Sequence, residues 1–229
     1  MTDPHSPLGA GAGASHAPAD VLGYADAYVP EDAALQGARA RAGEVGLLPV
    51  SPLVGATLRL LAAVTGAHAV AEVGTGTGVS ALWLLRGMRS DGVLTTVDTE
   101  GEHHRLARAA LAEAEVASGR TRLITGRAQE VLPRLAERAY DLVHVDVPLE
   151  SALDLLGEAV RVLRPGGVLA VSGALAGGRV PDGAARDAEA VAGRALAKAV
   201  REEERLTPLL LPIGAGLLVA VRTSAPAAG

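Results

Sequence analysis

Ala69-Val70-Ala71-Glu72-Val73-Gly74-Thr75-Gly76-Thr77-Gly78-Val79-Ser80-Ala81-Leu82-Trp83 is the stretch that decides how this chain is read. Residues 69–73 are a short run of strand character, and the apolar pattern resumes as a helix at about residue 78. The alternating glycines between them permit backbone conformations barred to other residues and let a ligand approach the main chain. Further on, Thr95-Thr96-Val97-Asp98 ends the next strand-like run in a carboxylate, about 20 residues past the loop. An acid at that place suits paired hydrogen bonds to the two hydroxyls of an adenosine ribose.

Outward from this loop the pattern repeats. Strands are expected at Ala69 to Val73, Val93 to Val97, Thr121 to Thr125, Tyr140 to Val145 and Val168 to Ser172. Helices fall at about 78–88, 101–117, 127–138 and 151–163. Strands alternating with helices imply βαβ units, hence an α/β fold whose parallel sheet is covered on both faces. After a long helix from about Asp182 to Arg205, Leu206 to Leu211 and Leu217 to Val221 flank Pro212-Ile213-Gly214-Ala215-Gly216, which predicts a closing antiparallel hairpin. Upstream, residues 20–46 read as two helices broken at Pro30, the second opening on Glu31-Asp32, where acids favour a helix N-terminus. Ser51-Pro52 opens another, with Leu53, Leu58, Leu60, Leu61 and Val64 to bury. Residues 1–18, rich in Gly, Ala, Pro, Ser and His, read as a disordered tail. The expected organisation is one domain over 19–229, with N-terminal helices at 19–66 and a cofactor-binding core at 67–222.

Composition narrows the class. The 229 residues are 49% hydrophobic but only 2% aromatic, with no Phe, so Ala, Val and Leu must fill the core. Lys198 is the one lysine among 21 basic residues, so abundant Arg reflects compositional bias and carries little functional weight. A net charge of -5 argues against a protein built to hold nucleic acid or an anionic membrane. Without cysteine there is no disulfide, thiolate metal site or thiol nucleophile. No apolar run is long enough to span a membrane and no secretion signal is recognisable, so a cytoplasmic location is expected.

A glycine loop followed by an acid fits both adenine dinucleotides and S-adenosylmethionine. The G-x-G-x-G spacing departs from the dinucleotide G-x-G-x-x-G pattern. Glu72, just before the loop, would repel a pyrophosphate but can accept from the ammonium of a methionine moiety.

These residues resemble the class I S-adenosylmethionine-dependent O-methyltransferases of the catechol and caffeoyl-CoA type and their bacterial relatives. Over about residues 45–222, Glu72 to Ser80 matches the family's cofactor loop. Val97-Asp98, Gly126-Arg127-Ala128-Gln129, Tyr140-Asp141-Leu142-Val143, Leu163-Arg164-Pro165-Gly166-Gly167-Val168 and Gly177-Gly178-Arg179-Val180 match further segments in order. The resemblance implies a Rossmann-like, doubly wound, seven-stranded and mostly parallel sheet ending in a reversed hairpin. It also implies that Glu72 takes the cofactor's amino group, with Gly74, Thr75, Gly76 and Ser80 along its methionine end. Asp98 and Thr99 would sit at the ribose, Ala128 and Gln129 at the adenine, with Val50 a further contact. Asp146 would lie close to the methyl donor and acceptor, both as cofactor contact and as the catalytic residue.

The sequence departs from the family at the acceptor side. Relatives hold a divalent cation with an Asp after the fourth strand and an Asp-Asn pair after the fifth, helped by a Lys. Here Asp146 is the one counterpart: Ser172-Gly173 replaces the pair and Leu149 the Lys. One carboxylate is a poor magnesium site, so no metal is expected. His144, on the same strand face as Asp146, reads either as a replacement base or as a core residue. Glu150 and Asp154 read as solvated acids, His103 and His104 as exposed, and Arg179 as either an anion contact or a salt bridge. The resulting expectation is methyl transfer by in-line displacement to a small hydroxylated acceptor, by a homodimer. A non-catalytic binder of S-adenosylmethionine or S-adenosylhomocysteine, and a methyltransferase of transfer-RNA nucleosides, are the alternatives.

Overall fold

The computed structural model describes residues 18–223. The expected N-terminal tail lies outside the described residues apart from its last residue, Pro18, which opens the first helix.

Three helices precede the sheet: α1 (Pro18–Ala27), α2 (Ala33–Glu44) and α3 (Pro52–Val64). The cap of α2 is Asp32, whose side chain accepts from Leu35 N at 3.1 Å. Ser51 caps α3 by accepting from Val54 N, with Pro52 at the first helical position. That helix buries Val54, Gly55, Leu58 and Ala62, spaced at i, i+4 and i+8, so Leu60 and Val64 on the far side are exposed, contrary to expectation.

The strands are β1 (Ala69–Val73), β2 (Val93–Asp98), β3 (Thr121–Thr125), β4 (Tyr140–Val145), β5 (Leu163–Ser172), β6 (Leu206–Leu211) and β7 (Leu217–Arg222). They form one sheet in the order β3-β2-β1-β4-β5-β7-β6. The first five pair in parallel, and β7 runs antiparallel to both β5 and β6. This is the expected mostly parallel seven-stranded sheet with its reversed hairpin. Connecting helices are α4 (Val79–Gly87), α5 (Gly101–Glu113), α6 (Ala128–Val131), α7 (Leu149–Val162) and α8 (Ala188–Glu202). Two cores result. Val70, Leu94, Leu142 and Val168 pack with Leu58, Leu82 and Trp83 on one face. Val143, Leu169 and Val171 pack with Leu149, Ala152 and Leu196 on the other.

Three helices are shorter than the sequence suggests. The helix expected at 101–117 stops at Glu113, because Glu115 turns into left-handed backbone at φ 53°. That expected at 127–138 is a single α turn followed by a 3₁₀ turn, Leu132–Arg134. Pro133 has no N–H to give and its ring crowds the preceding turn, which ends an α-helix. The long C-terminal helix begins only at Ala188, where Asp187 accepts from Ala190 N at 3.0 Å. Among the described residues no helix is long and apolar enough to cross a membrane.

Candidate active site

Strand order reverses beside β1: β2 and β3 extend to one side, β4 and the remaining strands to the other. In open α/β sheets that reversal leaves a crevice at the strands' carboxyl ends. A cavity of about 400 Å³ opens there.

The loop after β1 forms its floor. Gly74, Gly76 and Gly78 all have positive φ, at 93°, 50° and 89°. Gly74 has no room for a side chain, since a Cβ would lie 2.1 Å from the Asp146 carbonyl oxygen. Gly74 N donates to Val97 O at 2.9 Å and Asp146 N to Val73 O at 2.8 Å, so the ends of β1, β2 and β4 are pinned together. Asp98 is aimed before any ligand arrives. Its Oδ2 accepts from Gly76 N at 3.0 Å, and its Oδ1 accepts from Glu100 N at 2.9 Å and lies 3.0 Å from His103 Nδ1.

Val50, Gly74, Thr75, Gly76, Ser80, Asp98, Thr99, Ala128, Gln129 and Asp146 all line this cavity. Glu72 does not: it is fully buried beneath the loop, its Oε2 accepting from Thr96 Oγ1 at 2.7 Å and its Oε1 lying 3.2 Å from His144 Nδ1. His144 is fully buried as well and sits off the cavity wall, with its other ring nitrogen 2.9 Å from Ser172 Oγ. The position is therefore a hydrogen-bonded core site, closed to an acceptor.

The two histidines read as exposed are not. His104 is buried, 3.2 Å from Thr75 Oγ1 and 2.9 Å from Thr125 Oγ1, and burial holds its pKa below the ordinary value. His103 lines the cavity beside Asp98. The available signal was its place in the first turn of a helix that starts just after Asp98. Leu47, Leu48, Pro49, Val147 and Pro148 complete the wall. Glu150 and Asp154 are exposed, and Arg179 forms ion pairs with Asp187 and Glu189.

Asp146 is the ionisable group on the wall at the end of β4. Enclosure by protein pushes its carboxyl above the usual carboxylate range; His144 opposes that shift and the charge of Glu72 adds to it. The donor set around it does not fit a divalent cation. Hard cations need several oxygen ligands, whereas Ser172 Oγ is committed to His144 and both oxygens of Glu72 are engaged. Among the described residues no group of three or more His, Cys, Asp or Glu side chains is gathered to hold a metal.

Comparison with known proteins places this geometry. A family model for O-methyltransferases matches residues 35–223. A Mycobacterium tuberculosis protein, provisionally named an O-methyltransferase, is 57% identical over 199 residues, covering 87% of this chain and 89% of that one. A Corynebacterium glutamicum crystal structure superposes with a TM-score of 0.85 at 31% identity, over 91% of this chain and 98% of that one. The O-methyltransferase TomG from Streptomyces achromogenes, involved in tomaymycin synthesis and solved with S-adenosylmethionine, gives 0.81 at 30% identity, over 90% and 96%. With most of its length matched by the family model and by these proteins, the chain belongs to the O-methyltransferase family.

Proposed function

We propose that the protein transfers a methyl group from S-adenosylmethionine to a small hydroxylated acceptor without the help of a divalent cation. Asp146 carries this reading: it is a single carboxylate with a raised pKa, on the wall of the cavity that also holds the glycine loop and Asp98. Bound S-adenosylmethionine supplies a methyl group activated by its sulfonium. The residues fit it. Asp98, fixed by Gly76, Glu100 and His103, faces the ribose hydroxyls, Ala128 and Gln129 border the adenine, and Gly74, Thr75 and Ser80 line the methionine end.

Asp146 accepts the acceptor's hydroxyl proton as the oxygen takes the methyl. A carboxyl whose pKa is raised toward the working pH serves better as a general base than an ordinary one. Positioning supplies the rest, since effective molarities of well-oriented reactants reach roughly 10⁵ to 10⁸ M. The apolar rim of Leu47, Leu48, Pro49 and Val50 favours an acceptor with an apolar body, and no Arg or Lys stands among the described residues lining the cavity, which argues against transfer RNA.

The test is turnover with S-adenosylmethionine and a panel of phenols, with magnesium and with EDTA. Equal product in EDTA supports the reading; strong activation by magnesium overturns its metal-free part. No product beside tight binding of S-adenosylhomocysteine favours a non-catalytic binder. Exposed Val21, Leu22 and Tyr24 on α1, with exposed Tyr28 just past its end, support association as a homodimer, and a monomeric mass by light scattering at all concentrations would exclude it.

A further inference from the structure

Beneath the cavity, a row of polar side chains crosses the sheet. Glu72 of β1 stands in register with Thr96 of β2 on one side and His144 of β4 on the other. His144 pairs with Ala170 of β5, so Ser172, two residues on, shares its face. One step back along the same strands and on the same face, the row is Val70, Leu94, Leu142 and Val168, all in the apolar core. An apolar layer therefore packs well in this fold. At the end nearest the cavity it gives way to a carboxylate and imidazoles, and buried polar groups cost stability unless every one is partnered.

Every one is partnered, and chemistry fixes the direction of the bonds. Thr96 Oγ1 donates to Glu72 Oε2 at 2.7 Å. Its one proton being used, Thr96 accepts from Thr75 Oγ1 at 2.7 Å. Thr75 must then accept from His104 Nε2 at 3.2 Å, and in the neutral ring His104 Nδ1 accepts from Thr125 Oγ1 at 2.9 Å. The neutral form is in keeping with the lowered pKa of His104. On the other side His144 Nδ1 donates to Glu72 Oε1 at 3.2 Å while its Nε2 bonds Ser172 Oγ at 2.9 Å. Donors from both flanks converge on one carboxylate. The hydroxyl of Thr75, on the cofactor loop, is consumed within this chain.

We propose that His144 and Ser172 are positioning residues for methyl transfer, which anchor the β4 and β5 ends on Glu72 and hold them, through Thr96 and Thr75, at one fixed spacing from the cofactor loop. His144 then sets the height of Asp146, two residues on and just past the end of β4. The proposal rests on the methyltransferase reading above and adds to it the means by which donor and acceptor walls keep their distance.

The test compares the full chain with His144→Asn, Ser172→Ala and His144→Phe, reading thermal unfolding, affinity for S-adenosylhomocysteine, and kcat and KM on a phenol that the parent protein turns over. Asn keeps an N–H for Glu72 but loses Ser172; Ala removes the same link from the other end. Both should leave S-adenosylhomocysteine affinity and the KM for S-adenosylmethionine near the parent values while kcat falls by up to about 10²-fold, as misplacement of reacting groups by about 1 Å does. Phe, which removes both links, should also weaken S-adenosylhomocysteine by about tenfold, the worth of one buried hydrogen bond. If Phe misfolds, the first two variants decide. Parent-like kcat in His144→Asn and Ser172→Ala, or a loss that only follows thermal stability, overturns the positioning role and leaves the methyltransferase reading intact. A parent protein that binds no S-adenosylhomocysteine sinks both.

Discussion

Thr77 Oγ1 donates a 2.8 Å hydrogen bond to the carbonyl oxygen of Ala38, so the glycine loop holds helix α2 as well as the floor of the cavity. Thr77 is buried, and α2 runs directly into the Leu47–Val50 segment on the cavity wall. Thr77→Val keeps the shape and removes the donor. It should lower stability by about 1 kcal/mol and raise the KM for S-adenosylmethionine, read by denaturant unfolding and initial rates. Unchanged values in both would show that α2 is held elsewhere.

Gly55 of α3 lies against the ring of Trp83. A Cβ at this position would meet ring atoms at 2.3 Å, and Trp83 is buried. Gly55→Ala should destabilise by about 1–3 kcal/mol, the usual cost of overpacking a core. Trp83 is the only tryptophan, so its emission reports the shift directly. A parent-like melting temperature and spectrum would contradict the packing.

Asp146→Asn should reduce kcat by about 10²- to 10⁴-fold, the range of general-base contributions, with S-adenosylhomocysteine affinity retained. In the parent protein kcat should rise with pH as this carboxyl ionises. The stability sign is opposite. Because the folded pKa lies above the ordinary 3.8, folding favours the protonated form, and that contribution is lost as pH rises through the folded value. At neutral pH the Asn variant should therefore melt higher than the parent while turning over more slowly. A variant both slower and less stable would show that the carboxylate is structural.

Much of this was readable in the residues, for physical reasons. Short β-branched apolar runs and the glycine spacing located β1, its loop and α4, because a parallel strand buried on both faces and a positive-φ turn each demand particular side chains. Asp98 was legible as a strand-end acid. What the sequence did not disclose was contact across strands. Glu72, Thr96 and His144 are neighbours only through the register of β1 with β2 and β4, which local patterns do not encode. Helix ends failed where a single residue overruled periodicity, at Glu115, Pro133 and Asp187.

His104 makes the fold sensitive to mild acid. Burial depresses its folded pKa below the ordinary 6.5, so its contribution to stability is present above that value and is lost as pH falls toward the folded one. Asp141, held low despite desolvation by hydrogen bonds from Ala69 N, Arg164 and His68 N, changes only below its ordinary 3.8 and does not interfere. As pH falls below 6.5 the loss from His104 runs against the gain from Asp146, so the difference in urea midpoint between the parent and His104→Asn should change across this range, with the variant losing less stability than the parent. An equally steep slope in the variant would place the sensitivity in another group.

At the far end of the sheet, Arg205 O accepts from Thr223 N at 2.8 Å. By antiparallel alternation, the backbone groups of Thr207, Leu209 and Leu211 then face β7, and those of Leu206, Pro208 and Leu210 face outward. Pro208 has no N–H, so the outermost row of donors is interrupted midway along β6. A strand added there in register would lose a hydrogen bond at Pro208, which disfavours lengthening the sheet. The exposed Leu209 and Leu210 of β6 can therefore face water with less tendency to seed a growing ribbon.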